Sequence, residues 1–295
     1  MPELPDLAIL ADALDTGLRR RRLTAAATPQ SLVLRGTPAE LAAFGGQRLI
    51  EIERRGKFLI LRFERDKMVL NLMLTGRLGL GVPGSRALPQ TAAVLTFSPA
   101  EAGRPAGRRR PTPDWPGVHA AWLPAPEATV ELRYRDATRM GKLYLLPAGV
   151  SRVVAGWSEL GPDADDPELT LEEWRRRITR HSGELKSLLR NQAFVAGIGN
   201  AYSDEILWTA RIAPFRTRSS LAADEVDTLY VATREVLAWA IGELRQRVPP
   251  RLEVEQRDFL RAHNKGGSSC PRCGQALTQV TAGGFVTSYC RNCQR

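Results

Sequence analysis

The cysteines constrain this chain more than any other feature. All four lie in the last 26 residues, as Cys270-Pro-Arg-Cys273 and Cys290-Arg-Asn-Cys293, with sixteen residues between the pairs. Each Cys-x-x-Cys turn can present two thiolates to one ion, and the intervening stretch is long enough for a β-hairpin that joins the turns. The spacing predicts one structural Zn²⁺ ion, because four thiolates leave no open coordination position. The alternative, a redox role, is rare for two such pairs in tandem.

Composition excludes several classes of protein. A length of 295 residues favours more than one domain, and 43% hydrophobic with 25% charged residues argues against global disorder. No apolar run approaches the roughly 18 residues that a membrane span needs, so no membrane partner is expected. The N-terminus, Met1 to Asp6, is acidic where a signal peptide would be basic, so secretion is not expected and a cytoplasmic location is. A net charge of +10 favours a polyanionic partner, most plausibly nucleic acid.

Hydrophobic periodicity divides the chain into a strand-rich part and a helical part. A helix is predicted from Pro5 to about Leu18, and strands at Arg48–Arg54, Phe58–Phe63, Met68–Met73, Ala92–Phe97 and Thr129–Arg135. Further helices are predicted at Thr170–His181, Leu185–Arg190, Asn200–Ala210 and Ala222–Arg247. The sequence thus predicts an α+β protein with an N-terminal domain at 1–150, a linker at 151–168, a helical domain at 169–260 and a zinc hairpin at 261–295.

Two basic runs stand out. Arg19–Arg22 follow the first predicted helix, where positive charge suits the helix dipole. Arg108–Arg110 lie in a Pro- and Gly-rich stretch at 98–122 that is typical of a loop. This loop is interpreted equally well as a solvated insertion or as an arm that contacts DNA.

Three short motifs accompany the cysteine pairs. They are Pro2-Glu3-Leu4-Pro5, Arg55-Gly56-Lys57-Phe58 and Gly197-Ile198-Gly199-Asn200. Their order and spacing resemble those of the formamidopyrimidine-DNA glycosylase/endonuclease VIII family of DNA repair enzymes, over essentially the whole chain. The resemblance implies an N-terminal β-sandwich catalytic domain, a helix–two-turn–helix DNA-binding domain and a zinc-finger hairpin. It also implies a monomer whose partner is damaged DNA.

Pro2 and Glu3 are the candidate catalytic residues. Removal of Met1 would give Pro2 a free secondary amine, and α-amino groups lose a proton more readily than lysine side chains. Such an amine can form an iminium with a sugar C1′, and the adjacent Glu3 can serve as acid or base. The resemblance implies these roles, with base excision followed by β- and δ-elimination. Taken alone, Pro2 would be interpreted as a residue of helix entry.

Four further residues are expected to contact DNA. The resemblance places Lys57 and Asn200 on phosphates, and a helix start after two glycines also suits Asn200 for that role. It implies that Leu74 fills the gap left by a flipped nucleotide and that Arg139 lies against the DNA. The alternatives are a surface lysine, a helix N-cap for Asn200 and a core position for Leu74.

Some positions depart from the family's pattern. Thr138 stands where an arginine would face the estranged base, Met140 replaces an aromatic wedge, and Asp6 replaces the usual glutamate. Phe285 replaces a phosphate-binding arginine of the hairpin, for which Arg272, Arg291 and Lys265 are the nearby cations that could compensate. Only residues 261–269 separate Leu260 from Cys270, so the segment that folds over 8-oxoguanine is expected to be absent.

Three classes of function follow. The first is a bifunctional DNA glycosylase and lyase of an atypical subgroup, with its catalytic pair retained and its lesion recognition altered. The second is a catalytically weak or inactive homologue that binds damaged DNA. The third, a ribosomal or transcriptional zinc-ribbon protein, leaves Pro2 and Glu3 unexplained.

Overall fold

The computed structural model describes residues 1–86, 88–102, 122–248 and 250–295. Arg108–Arg110 lie outside these ranges. The chain divides into two compact units. The first consists of Met1–Pro2, Asp6–Ala155 and Leu244–Gln256, and the second of Glu3–Pro5, Gly156–Glu243 and Arg257–Arg295. None of the helices in the described ranges has the length and apolar character required to span a bilayer.

The first unit is built on two sheets. Their strands are β1 (Arg21–Ala27), β2 (Leu34–Arg35), β3 (Leu49–Arg55), β4 (Phe58–Phe63), β5 (Lys67–Asn71), β6 (Arg77–Gly81), β7 (Thr91–Ala100), β8 (Val130–Arg135) and β9 (Lys142–Leu146). One sheet has the strand order β1-β7-β8-β6 and the other β2-β9-β5-β4-β3. The ring centroids of Phe63 in β4 and Phe97 in β7 lie 6.5 Å apart, so buried side chains of the two sheets pack against each other as in a β-sandwich.

The five predicted strands are present as β3, β4, β5, β7 and β8, while β1, β2, β6, β9 and a short helix were not predicted. Two glycines weaken the strand signal of β6, and a Cβ at Gly81 would lie 2.6 Å from Arg133 Nε, so a side chain there would displace the Arg133 guanidinium. The short helix is α2 (Pro38–Ala43), whose Thr37 and Glu40 form a capping box. The spacing of Thr37 and Glu40 is typical of a helix start and could have predicted α2.

The basic run Arg19–Arg22 is part of the fold. Helix α1 (Leu4–Leu18) ends before the run, and Arg21 begins β1 with only 2% of its surface exposed. Its guanidinium donates to the carbonyl oxygens of Gly17, Ser98 and Ala125 at 2.8 to 3.0 Å, and burial lowers the pKa of Arg21. The run therefore follows the C-terminal end of α1, as predicted, and Arg21 donates to the carbonyl of Gly17 in that helix. Its further bonds to the carbonyls of Ser98 and Ala125 were not predicted.

The second unit is mainly helical, with α3 (Leu171–Ile178), α4 (Leu185–Arg190), α5 (Asn200–Ala210) and α6 (Ala223–Arg247), of which the last residues belong to the first unit. All four helices were predicted. The Trp174 ring lies in the hydrophobic core of this unit, and its centroid is 4.8 Å from that of Phe194 and 5.7 Å from that of Tyr230. Residues 161–164, within the predicted linker, hydrogen-bond to residues 192–196.

A hairpin completes the second unit, with strands β10 (Thr278–Ala282) and β11 (Phe285–Tyr289). Ala282 pairs with Phe285, which leaves a two-residue turn of Gly283 and Gly284. Both glycines have positive φ, at +56° and +78°. A two-residue turn with this backbone matches the twist of antiparallel strands and explains the glycine pair.

Candidate functional site

Glu3 is held at the beginning of α5. Its side chain is 3% exposed. Oε2 accepts hydrogen bonds from the backbone N–H groups of Gly199 at 2.6 Å and Tyr202 at 3.2 Å, and Oε1 accepts one from Ala201 at 2.8 Å. A carboxylate thus occupies the positive end of the helix dipole and pairs with N–H groups that the helix leaves unsatisfied.

Two glycines allow the N-terminal segment to approach this closely. A Cβ on Gly199 would lie 2.4 Å from Glu3 Cδ. Gly197 has φ +103°, and a Cβ there would lie 2.7 Å from Leu4 Cβ. The Leu4 N–H also donates to the Gly197 carbonyl at 2.9 Å. The Gly-Ile-Gly motif therefore makes room for Glu3 and Leu4.

Asn200 is the first residue of α5, and Gly199 takes the N-cap position, so the N-cap interpretation of Asn200 was wrong. Its Nδ2 donates to the Val286 carbonyl in the hairpin at 2.9 Å. The N–H groups expected to grip a phosphate at this helix start are bonded to Glu3 instead. Asn200 thus ties the hairpin to the start of α5.

A buried polar cluster, which the sequence reasoning missed, lies next to Asn200. Lys186 Nζ donates to Asp204 Oδ1 and to the Val286 carbonyl, each at 2.6 Å, and His263 Nδ1 lies 2.8 Å from Asp204 Oδ2. Burial lowers the pKa of Lys186, while the charge of Asp204 opposes that shift. Consecutive carboxylates, Asp204 and Glu205, in the middle of an otherwise apolar helix were the available signal.

Two loops of the first unit are joined by Asp136, which is fully buried. Its carboxylate accepts hydrogen bonds from the Thr75 hydroxyl, from the Gly141 N–H at 2.7 Å and from the Tyr134 hydroxyl at 3.1 Å. Thr138 Oγ1 lies 2.7 Å from Thr75 Oγ1. Thr138 therefore links the loop at 136–141 to the turn after β5.

Those loops expose apolar side chains. Leu74 is 56% exposed, so its interpretation as a core residue was wrong, and Met140 is 48% exposed. Arg139, between Thr138 and Met140, is exposed with φ +56°. Large exposed apolar groups on adjoining loops are suited to contact a partner.

Pro2 and Lys57 also lie in the first unit. Pro2 is buried, and the amino group of Met1 lies 3.5 Å from Glu255 Oε1. Lys57 follows Gly56 in the two-residue turn between β3 and β4, as predicted, and is partly buried.

The four cysteines form one cluster. Their Sγ atoms all lie within 4.8 Å of one another, and those of Cys273 and Cys290 are 3.5 Å apart. Sulfur atoms around a tetrahedral ion with Zn–S bonds of about 2.3 Å would be about 3.8 Å apart, which this cluster brackets. The cysteines are therefore positioned to hold a metal ion.

Arg272, one of the cations considered as a substitute at the hairpin, is engaged elsewhere. It donates to the carbonyls of Trp208 at 2.9 Å and Thr209 at 3.4 Å, and its guanidinium lies over the Trp208 ring. Lys265 donates to the Asp258 carbonyl at 3.0 Å. Arg272 therefore caps the end of α5, where positive charge is favourable.

Comparison with known proteins gives a consistent result. The formamidopyrimidine-DNA glycosylase N-terminal domain matches residues 1–143, and the formamidopyrimidine-DNA glycosylase H2TH domain matches residues 160–248. The formamidopyrimidine-DNA glycosylase of Thermomicrobium roseum is 31% identical over 100% of this chain and 99% of the relative. That of Heliobacterium modesticaldum is 30% identical over the full length of both.

Solved structures agree. The MutM (Fpg) protein of Thermus thermophilus superposes with a TM-score of 0.77 at 27% identity, over 99% of this chain and 98% of that one. Lactococcus lactis Fpg, in complex with DNA containing an abasic site, has a TM-score of 0.81 at 21% identity over 99% of both chains, a likeness of fold. The chain therefore belongs to the formamidopyrimidine-DNA glycosylase/endonuclease VIII family of DNA repair glycosylases.

Proposed function

We propose that this protein excises damaged bases from DNA through a Schiff base on Pro2 and then nicks the strand as an AP lyase. The observation that carries the proposal is the fixation of Glu3, next to Pro2 in sequence, by three backbone N–H groups at the start of α5. A carboxylate held this rigidly, one position from the proposed nucleophile in the sequence, is preorganised for a role as acid or base.

The hydrogen bonds hold both oxygens of the Glu3 carboxylate. Oε2 accepts the N–H groups of Gly199 and Tyr202, and Oε1 accepts that of Ala201. In the proposed reaction the Pro2 nitrogen attacks C1′ of the damaged nucleotide, and the base departs with the electrons of the glycosidic bond. Glu3 transfers the protons that open the sugar and form the iminium, which then promotes β- and δ-elimination.

The DNA contacts belong to the same proposal. Lys57 and Arg139 bind phosphates, and Leu74 fills the space of the flipped nucleotide, assisted by the exposed Met140. Asn200 uses one N–H of Nδ2 on Val286, which leaves the second N–H for a phosphate oxygen. The protein acts as a monomer on damaged DNA, with the domain limits that the sequence predicts.

The metal is proposed to be Zn²⁺, held by Cys270, Cys273, Cys290 and Cys293. Four thiolates match the preference of Zn²⁺ and leave no site for substrate, so the ion would supply stability and no chemistry. The hairpin it organises carries Val286, whose carbonyl binds Lys186 and Asn200.

The second candidate, a damaged-DNA-binding homologue with weak catalysis, is favoured by one observation. Thr138 bonds to Thr75 and to Asp136, so it is occupied within the protein at the position expected to face the estranged base. Altered recognition of that base affects substrate choice more directly than it affects the chemistry at Pro2.

A panel of duplexes tests the proposal. One strand would carry an abasic site, an oxidised pyrimidine, a ring-opened purine or 8-oxoguanine. We expect nicking at the abasic site and release of oxidised pyrimidines or ring-opened bases, with little release of 8-oxoguanine. The last expectation follows from the short 261–269 segment, whose N–H groups at residues 261–263 are bonded to Glu205. Binding without any base release or nicking would favour the second candidate.

A further inference from the structure

Arg190, the last residue of α4, carries a positive charge that the surrounding protein leaves available. Its guanidinium carbon lies 3.5 Å from the ring centroid of Phe285, and the residue is partly buried. In the described part of the chain, no carboxylate lies within ion-pair distance of this guanidinium, and no oxygen accepts a hydrogen bond from it. Five N–H donors are therefore positioned without an acceptor.

This arrangement is costly unless a ligand completes it. Burial lowers the pKa of Arg190, while the charges of Glu3 and Asp204 oppose that shift. A partly desolvated guanidinium without hydrogen-bond acceptors in the protein loses part of its hydration, which stacking on the aromatic ring and the charges of Glu3 and Asp204 only partly offset. An oxyanion that accepts two parallel hydrogen bonds would restore what burial removes.

Phe285 holds the side chain of Arg190 in place. It is 46% exposed at the start of β11, and its ring lies 3.5 Å, centroid to carbon, from the Arg190 guanidinium. The adjacent Val286 carbonyl accepts hydrogen bonds from Lys186 and Asn200, so the backbone at the base of this ring is fixed to α4 and α5. The ring therefore limits the positions that the Arg190 guanidinium can take.

We propose that Arg190 binds a phosphate of the DNA strand and that Phe285 is a positioning residue which holds its guanidinium by stacking. This inference rests on the proposed function. A DNA phosphate is the expected ligand of Arg190, because a planar guanidinium group donates two parallel hydrogen bonds to phosphate oxygens. The cation is thus supplied by a helix, at the position where the hairpin itself carries Phe285.

Equilibrium binding to a duplex with a stable abasic-site analogue, measured over a range of salt concentrations, tests the proposal. Arg190→Ala should weaken binding about tenfold and lower the salt slope by about one, because one phosphate contact is lost. Arg190→Lys keeps the charge but loses the paired geometry, so it should retain the slope with weaker binding. Phe285→Leu should do the same, since it removes the ring and leaves the charge.

Two variants complete the design. Arg180→Ala, which removes an exposed arginine of the same unit, is the matched control and should change the slope by less than Arg190→Ala does. Arg190→Leu combined with Phe285→Arg returns a guanidinium to the site from the hairpin and should recover the slope. Wild-type affinity and slope in Arg190→Ala would overturn the proposal.

The binding assay involves no chemistry, so the two proposals fail separately. If Arg190→Ala left the salt dependence of DNA binding unchanged while the protein still formed a covalent adduct through Pro2, only the proposed phosphate contact of Arg190 would be rejected. If Arg190→Ala reduced this salt dependence and the wild-type protein formed no adduct, the phosphate contact would be supported and the catalytic proposal rejected.

Discussion

Glu3→Gln should slow base excision by roughly 10²- to 10⁴-fold, the usual contribution of a positioned acid or base. The amide cannot exchange the protons that open the sugar. It also places an NH₂ group against backbone N–H donors that now bond to carboxylate oxygens, which should lower stability by about 1–3 kcal/mol. Single-turnover base release and the thermal unfolding midpoint measure the two effects.

Glu205→Gln provides the matched control. Glu205 lies on α5, the helix whose first N–H groups bind Glu3. It is fully buried and accepts hydrogen bonds from the N–H groups of Arg261, Ala262 and His263 at 2.8 to 3.0 Å. Its substitution should lower the unfolding midpoint by a similar amount. If Glu205→Gln slowed excision as much as Glu3→Gln at equal stability, the catalytic role of Glu3 would be contradicted.

Removal of the metal should abolish specific DNA binding. Structural zinc commonly contributes about 10 kcal/mol or more to the folding of its domain, so the hairpin is not expected to persist without it. Loss of the hairpin removes the Val286 carbonyl from Lys186 and Asn200, and the Ser288 N–H from Asp204. Chelation should release about one zinc ion per chain, with parallel loss of affinity for an abasic-site duplex.

Cys290→Ser should reproduce the effect of chelation. In the wild-type protein, addition of zinc after chelation should restore DNA binding. Thr281→Ser, at an exposed position of the same hairpin, is the control and should bind normally. Metal-free protein that binds DNA with unchanged affinity would show that the cysteine cluster does not organise the site.

Much of the candidate site could be predicted from local patterns. The cysteine spacing predicts the cluster at the end of the hairpin, and the glycine pair predicts its turn. Helices α3, α4 and α6 follow from periodicity, whereas α5 is buried on almost every side and follows from its apolar run and its start after two glycines. The exposure of Leu74 could not be decided, since a leucine after a strand is equally consistent with the core and with a loop.

The tertiary partners of polar residues could not be predicted from the sequence. Gly199 suggests close approach of some group, but not that the group is Glu3, 196 positions away. Asn200 at a helix start suggests capping, yet the carboxylate of a distant segment takes that role. Arg21 resembles its neighbours in sequence, and only the paths of β1 and of the loops decide that it is buried.

Borohydride trapping on a duplex with an abasic site tests the central claim most directly. The mature protein, with Met1 removed, should form one covalent adduct that mass spectrometry assigns to the Pro2 nitrogen. Pro2→Gly, with a primary amine in place of the secondary amine, should form much less of it, and protein that retains Met1 should form none. Absence of an adduct, or equal trapping by Pro2→Gly and by the Met1-retaining protein, would contradict catalysis through Pro2.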